Sequence, residues 1–112
     1  MVEEVAITRE GFLSVRCRSG YELLAVFLAD THCGTAARCQ ILLSVIRALE
    51  ARTLPHWDSG YGNASAAEFD PPTDVVIESE FAAPRRKLRV PVVQFIEALE
   101  TMLRFRLEQE RT

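Results

Sequence analysis

The residues with the clearest potential for chemistry are the histidines and cysteines. His32, Cys33 and Cys39 form one cluster, whereas Cys17 and His56 are distant from it in the sequence. A structural zinc site usually takes four such ligands as two close pairs, and only one close pair is present here. The sequence therefore predicts no metal site. We interpret the clustered cysteines as small residues that are buried where a helix begins.

A small enzyme that uses Cys33 or Cys39 with a histidine stays open as one hypothesis, because a cysteine and its activating histidine need only meet in space. Asp58, two residues after His56, is a carboxylate close enough in sequence to orient that histidine. Residues 60–63 lack the lysine-serine or lysine-threonine ending of a phosphate-binding loop, and they precede a predicted strand rather than a helix. We therefore expect a non-catalytic protein without a cofactor.

A dense group of acidic residues is the second feature. Residues 58–80 contain six acids and no lysine or arginine, and four bases follow within residues 85–89. The acids are Asp58, Glu68, Asp70, Asp74, Glu78 and Glu80. Crowded like charges across strands cost stability, so such a surface is kept either for solubility or to dock a basic partner. Trp57 and Tyr61 lie beside it and suit either interface anchors or covers of the core.

Overall composition narrows the class of function. The chain has 112 residues, 48% hydrophobic, with a net charge of −3, which predicts one domain over residues 1–112. An acidic chain is a poor general binder of nucleic acid, and we interpret residues 85–89 as a solvated connector.

No apolar run approaches the roughly 20 residues that span a bilayer. Residues 1–11 do not predict a signal peptide. Because the number of cysteines is odd, we expect reduced thiols and a cytoplasmic protein. From the absence of a long apolar run, we expect no contact with a membrane.

The first third of the chain predicts a β-meander. Residues 2–8 and 12–18 alternate between apolar and polar side chains, as half-buried strands do. Residues 21–29 are apolar on both faces, which fits either a buried strand or the start of a helix. We take them as a third strand, because the tight turn predicted at Ser19-Gly20 makes a meander economical.

Two amphipathic helices and a hairpin account for the rest. Apolar positions at a period of 3.6 predict helices over Thr35–Arg52 and Val90–Gln109, the first capped by Asp30 or Thr35. Between them, strands at residues 63–69 and 75–81 predict a hairpin that pairs Phe69 with Val75 on the buried face. The expected fold is α+β: an antiparallel sheet of about five strands (β-meander, helix, β-hairpin, C-terminal helix) with two helices packed on one face.

Short motifs spread along the chain resemble those of a known group of proteins. The motifs are Trp57, Gly62-Asn63, Asp74-Val75-Val76-Ile77-Glu78, Val90-Pro91, Phe95 and Ala98-Leu99-Glu100. Together they resemble small bacterial immunity-type proteins, which guard a cell against polymorphic or contact-dependent inhibition toxins. An earlier stretch, Ser14-Val15-Arg16 with Ser19-Gly20-Tyr21-Glu22, is similar to the small YacL-like family.

The resemblance implies a non-catalytic α+β protein that binds a toxin domain, often a nuclease, and blocks its active site. A nuclease active site is generally basic because it grips phosphate, so acidic residues of an inhibitor can occupy it. The expected partner-binding residues are Trp57, Asp58, Tyr61, Glu68, Asp70, Asp74, Glu78 and Glu80. The alternative is a small structural or regulatory domain that forms a homodimer, through an exposed sheet edge or an apolar flank of the last helix such as Phe105 and Leu107.

Overall fold

A computed structural model of the chain describes residues 1–62, 64–79 and 86–111. Its elements in order are β1 (Val2–Ile7), β2 (Leu13–Cys17), α1 (Glu22–Ala29), a 3₁₀ turn (Thr31–Cys33), α2 (Ala36–Glu50), β3 (Ser65–Asp70), β4 (Asp74–Ser79), β5 (Lys87–Pro91) and α3 (Val92–Glu110). The predicted α+β class is confirmed.

The strands form two antiparallel sheets, so the prediction of one sheet of about five strands is wrong. One sheet contains only β1 and β2, and the other has the order β3-β4-β5. The error comes from residues 21–29, which fold as a helix from Glu22 to Ala29 rather than as the third strand of a meander. A strand would have buried alternate residues, whereas the helix buries Leu24, Phe27 and Leu28 together on one side.

The hairpin of β3 and β4 has the predicted register. Phe69 pairs with Val75, and Asp70 pairs with Asp74 across the connection. Ala67, Val75 and Ile77 are buried on the face that meets the helices. Asn63, Glu80 and Phe81, which the sequence placed at the outer ends of these strands, lie outside the described residues.

Three helices, rather than the two predicted, build the core. Both α1 and α3 contact the three-stranded sheet, and α2 packs against α3. The ring centroids of Phe27 in α1 and Phe95 in α3 are 5.5 Å apart. The predicted apolar face of α3 is confirmed, since Phe95, Leu99 and Met102 are fully buried. The capping of α2 by Thr35 is also confirmed, because its hydroxyl accepts a hydrogen bond from the Arg38 amide at 3.1 Å.

The apolar face of α2 is turned slightly from its predicted direction. Ile41, which the periodicity placed in the buried stripe, is 67% exposed. Leu42 and Ile46 of the same predicted stripe are buried, and Leu43, which the stripe did not include, is buried as well. The buried side of α2 is the one that packs against α3, and Glu110 near the end of α3 accepts a hydrogen bond from the Ala36 amide at the start of α2 at 2.8 Å.

A buried carboxylate joins the helical part of the chain to the three-stranded sheet. Asp30, just after α1, accepts hydrogen bonds from the Thr31 amide at 2.6 Å, from the Ala64 and Ser65 amides at 3.0 Å, and from the Ser65 hydroxyl at 2.8 Å. The contact is close enough to require glycine at position 62, where a Cβ would lie 2.5 Å from Asp30 Oδ1. Asp30 therefore fixes the point at which β3 begins.

Replacing Asp30 with alanine is expected to lower the free energy of unfolding by about 3 kcal/mol, because it leaves buried amides and the Ser65 hydroxyl without an acceptor. Urea denaturation measures this. Asp58→Ala is the control, since the exposed Asp58 accepts one hydrogen bond, from the Gly60 amide, and should cost less than about 1 kcal/mol. Equal losses for the two variants would contradict the role given to Asp30.

Truncation of Leu99 to alanine is expected to cost about 2–5 kcal/mol, because it opens a cavity in a fully buried position. Val93→Ala is the matched control on the same helix, where the side chain is 56% exposed. Its cost is expected to stay within about 0.5 kcal/mol. Urea denaturation of both variants distinguishes a helix that forms the core from one that only covers it.

Candidate functional site

The three-stranded sheet has helices on one face only, and its other face meets solvent. We call this second surface the open face. By strand alternation it carries Ala66, Glu68 and Asp70 from β3, Asp74, Val76 and Glu78 from β4, and Lys87 and Arg89 from β5. All eight are at least partly exposed. The helices behind the sheet fix its strands, so these side chains project from a rigid layer.

Residues 57–59 extend this face beyond β3. The Trp57 carbonyl accepts a hydrogen bond from the Phe69 amide, and the Ser59 amide donates one to the Ala67 carbonyl, each at 2.8 Å. Asp58 is bridged to Glu68 in antiparallel pairing, so its side chain lies on the same side as that of Glu68. Trp57 is half-buried and packs against the core. The open face therefore includes Asp58 but not Trp57.

The structure thus brings together five of the eight residues predicted to bind a partner. These are Asp58, Glu68, Asp70, Asp74 and Glu78. Tyr61 lies in the loop that precedes β3, with its side chain 46% exposed. Glu80 lies outside the described residues.

Bases on β5 make the open face less acidic than the sequence indicates. Arg89 lies beside the β3–β4 turn, and its guanidinium forms ion pairs with Asp74 at 3.0 Å and with Asp70. The hydrogen bonds that the guanidinium donates to Asp74 and Asp70 raise the pKa of Arg89 further above its ordinary value. Lys87 lies directly opposite Glu78 in the register of β4 and β5, which places a base beside this carboxylate. Because residues 85–89 were interpreted mainly as a connector, this pairing of charges was missed.

Glu68 is the carboxylate of the open face that is most available to a partner. It is exposed, and its side chain makes no hydrogen bond or ion pair with the residues that the structure describes. Asp58 by contrast accepts a hydrogen bond from the Gly60 amide at 2.8 Å. Among the described residues, the open face therefore combines five carboxylates with two bases, and the carboxylates nearest the outer edge of β3 are the least neutralised.

Asp30, His32 and Ser65 lie close together, but their hydrogen bonds are not those of a catalytic triad. His32 Nε2 is 3.1 Å from the Ser65 carbonyl oxygen, which can only accept, so this nitrogen carries the proton. The Ser65 hydroxyl donates to Asp30 and not to the imidazole. The His32 ring is stacked on Phe27 with centroids 4.6 Å apart. In a triad the histidine would instead accept the hydroxyl proton, so this group is suited to holding β3 in place.

The three cysteines are free thiols, and burial limits the access of reagents to Cys33 and Cys39. Cys33 and Cys39 are fully buried and hydrogen-bonded to each other. That hydrogen bond, together with burial, raises the pKa of Cys33, and the same hydrogen bond lowers the pKa of Cys39. Burial also raises the pKa of the half-buried Cys17 to about 11. Within the described ranges, no group of three or more His, Cys, Asp and Glu side chains is arranged to hold a metal ion.

The comparisons with known proteins give no relative. No protein-family model matches the sequence. No curated protein and no solved structure matches it at a significant level either. The resemblance to immunity-type proteins therefore stays a prediction from the motifs quoted above. None of the helices in the described part of the chain combines the length and the hydropathy that a bilayer span requires.

Thiol alkylation tests the environment given to the cysteines. With a pKa of about 11, Cys17 is expected to react with iodoacetamide about tenfold faster for each unit of pH between 7 and 10, because only the thiolate is the nucleophile. Cys33 and Cys39 should react only after unfolding in urea. Mass spectrometry assigns each modified residue. Rapid alkylation of native Cys33 or Cys39 at pH 7 would contradict this assignment and revive the hypothesis of a cysteine enzyme.

Proposed function

We propose that this chain is a cytoplasmic, non-catalytic binding protein that docks its open face on a basic protein partner. By the resemblance stated above, that partner is a toxin domain such as a nuclease, and the chain acts as its immunity protein. The observation that carries the proposal is the open face itself. Five carboxylates against two bases lie on a solvent-facing sheet within the described residues.

A sheet surface suits an inhibitor because the backbone that carries its side chains is already ordered before binding. The register of β3 and β4 sets the spacing of Glu68, Asp70, Asp74 and Glu78. Little backbone conformational entropy is then lost when the partner docks, which favours affinity. Complementary charge also speeds the encounter and excludes partners of the same sign.

The distribution of charge indicates which side of the face meets the partner. Arg89 already pairs with Asp70 and Asp74, so these carboxylates mainly hold the β3–β4 turn against β5. Glu68 in β3 and Asp58, which is bridged to it on the side of β3 away from β4, are available to cations of another molecule. We therefore place the centre of the contact at Glu68, with the exposed Tyr61 as a candidate neighbour.

Trp57 has a different place in this proposal from the one that the sequence indicated. Its side chain packs against the core and lines a cavity of about 290 Å³ beside α2, together with the exposed Ile41. It therefore supports residues 57–59 from behind. We assign it to the stability of the edge that carries Asp58, rather than to direct contact with the partner.

Self-association is the alternative function, and the charges limit where it can occur. Two copies that met through their open faces would bring net negative surfaces together, which opposes association. A homodimer would instead use apolar residues such as Leu107 on α3, which is 48% exposed. Light scattering at several protein concentrations distinguishes a monomer from such a dimer.

The proposed function is tested by co-expression with the protein encoded next to this chain in its genome. We expect that protein to be basic, to arrest growth when expressed alone, and to be neutralised by this chain in a stable complex.

Glu68→Lys should weaken the complex at least tenfold, because it replaces an accessible carboxylate with a repelling cation. Glu97→Lys makes the same change of charge at an exposed position on α3 and should leave binding unchanged. Isothermal titration measures both affinities.

The two variants also separate binding from folding. Neither Glu68 nor Glu97 makes a side-chain ion pair with described residues, so both variants should unfold at nearly the urea concentration of the parent. Equal affinities for Glu68→Lys and Glu97→Lys would exclude the open face as the docking surface. Absence of any complex with the neighbouring protein would count against the immunity function.

A further inference from the structure

A second surface with the features of a binding site lies at the end of the molecule where α2 stops. Between the C-terminal end of α2 and the β3–β4 turn is a cleft of about 430 Å³. Leu49, Leu54, Phe69 and Pro72 supply most of its apolar lining. Sites for small molecules typically have volumes of roughly 300–1,000 Å³ and are mostly apolar, with few polar groups. The cleft meets both conditions, and it is separate from the open face.

The polar groups of this cleft are suited to an anion. Arg52 and His56 are its polar lining residues, and no described carboxylate lines it, although the chain as a whole is acidic. Neither side chain makes a hydrogen bond or an ion pair with the residues that the structure describes. A guanidinium binds a carboxylate through two parallel hydrogen bonds, which gives both affinity and orientation.

The backbone at Arg52 adds a second argument. Its φ of 60° is the one positive value found at a non-glycine residue of the described chain. The residue follows the C-cap of α2, where the Thr53 amide donates to the Ala48 carbonyl at 3.0 Å. Helices usually place glycine at such a position, because other residues are strained there. Arg52 adopts this strained backbone conformation, and its side chain lines the cleft.

We propose that this cleft binds a small monocarboxylate with an apolar body, such as a medium-chain fatty acid. The carboxylate pairs with the guanidinium of Arg52, and the His56 imidazole is a second donor. The hydrocarbon lies against Leu54, Phe69 and Pro72. Proline rings fix the backbone of two walls, so the cleft needs little rearrangement to admit the ligand. The site is independent of the partner proposed for the open face.

Titration of the full chain with decanoate tests this site, with binding measured by calorimetry and located by amide chemical shifts in NMR spectra. The amides of Leu54, His56, Phe69 and Thr73 are expected to shift together. Octanoate, which lacks two methylenes, should bind about fifteenfold more weakly, because each buried methylene contributes roughly a fourfold change in affinity. Decanol, which has the same hydrocarbon chain but no charge, should bind at least fivefold more weakly than decanoate.

Two variants assign the carboxylate contact to Arg52. Arg52→Gln is expected to weaken decanoate binding at least fivefold while leaving decanol unaffected. Arg9→Gln removes the same charge from the exposed turn between β1 and β2 and should bind as the parent does.

Equal affinities for decanoate and decanol would overturn the proposal, as would shifts confined to residues outside the cleft or no binding at millimolar decanoate. The comparison of decanoate with decanol uses the parent chain, so it decides the matter even where Arg52→Gln fails to fold.

Discussion

The buried carboxylate of Asp30 is the interaction on which the arrangement of the chain depends. It accepts hydrogen bonds from Thr31 on one side and from Ala64 and Ser65 on the other, so it joins the end of α1 to the start of β3. A charge in such a place is costly unless hydrogen bonds replace its water, and here they do. A shift of β3 by one residue would turn Glu68 from the open face to the core. The anchor at Asp30 therefore helps to determine which residues lie on the open face.

The same strands supply residues to both the open face and the core, on opposite sides of the sheet. Val75 and Ile77 of β4 are buried beneath the helices, while Asp74, Val76 and Glu78 alternate with them toward solvent. Arg89 from β5 offsets part of the negative charge, which lowers the repulsion that the sequence led us to expect. The surface that remains is acidic mainly near Glu68 and Asp58. A binding role there leaves the packing of the core unaffected.

The sequence predicted those parts of the fold that depend on local periodicity. The apolar face of α3 and the pairing of Phe69 with Val75 follow from spacings of three to four residues and of two residues. Residues 21–29 were wrongly assigned because they are apolar on both faces, and a short run of this kind fits a strand as well as a helix. The prediction of a single sheet was wrong for the same reason, because it depended on residues 21–29 being a strand. At the candidate site, the carboxylates of one hairpin could be grouped from sequence. The ion pairs of Arg89 and the bond between Asp30 and Ser65 could not, because both join residues that are distant in the chain.

Amide hydrogen exchange at Ala64 and Ser65 is the most direct test of this account, because both amides donate to Asp30. If the carboxylate anchors β3, these amides exchange only when the whole domain unfolds, as slowly as that of the buried Val75. Exchange of Ala64 and Ser65 at the rate of exposed loop amides, while Val75 stays protected, would contradict the account. It would show that β3 begins to fray at this end and that Asp30 does not fix the open face.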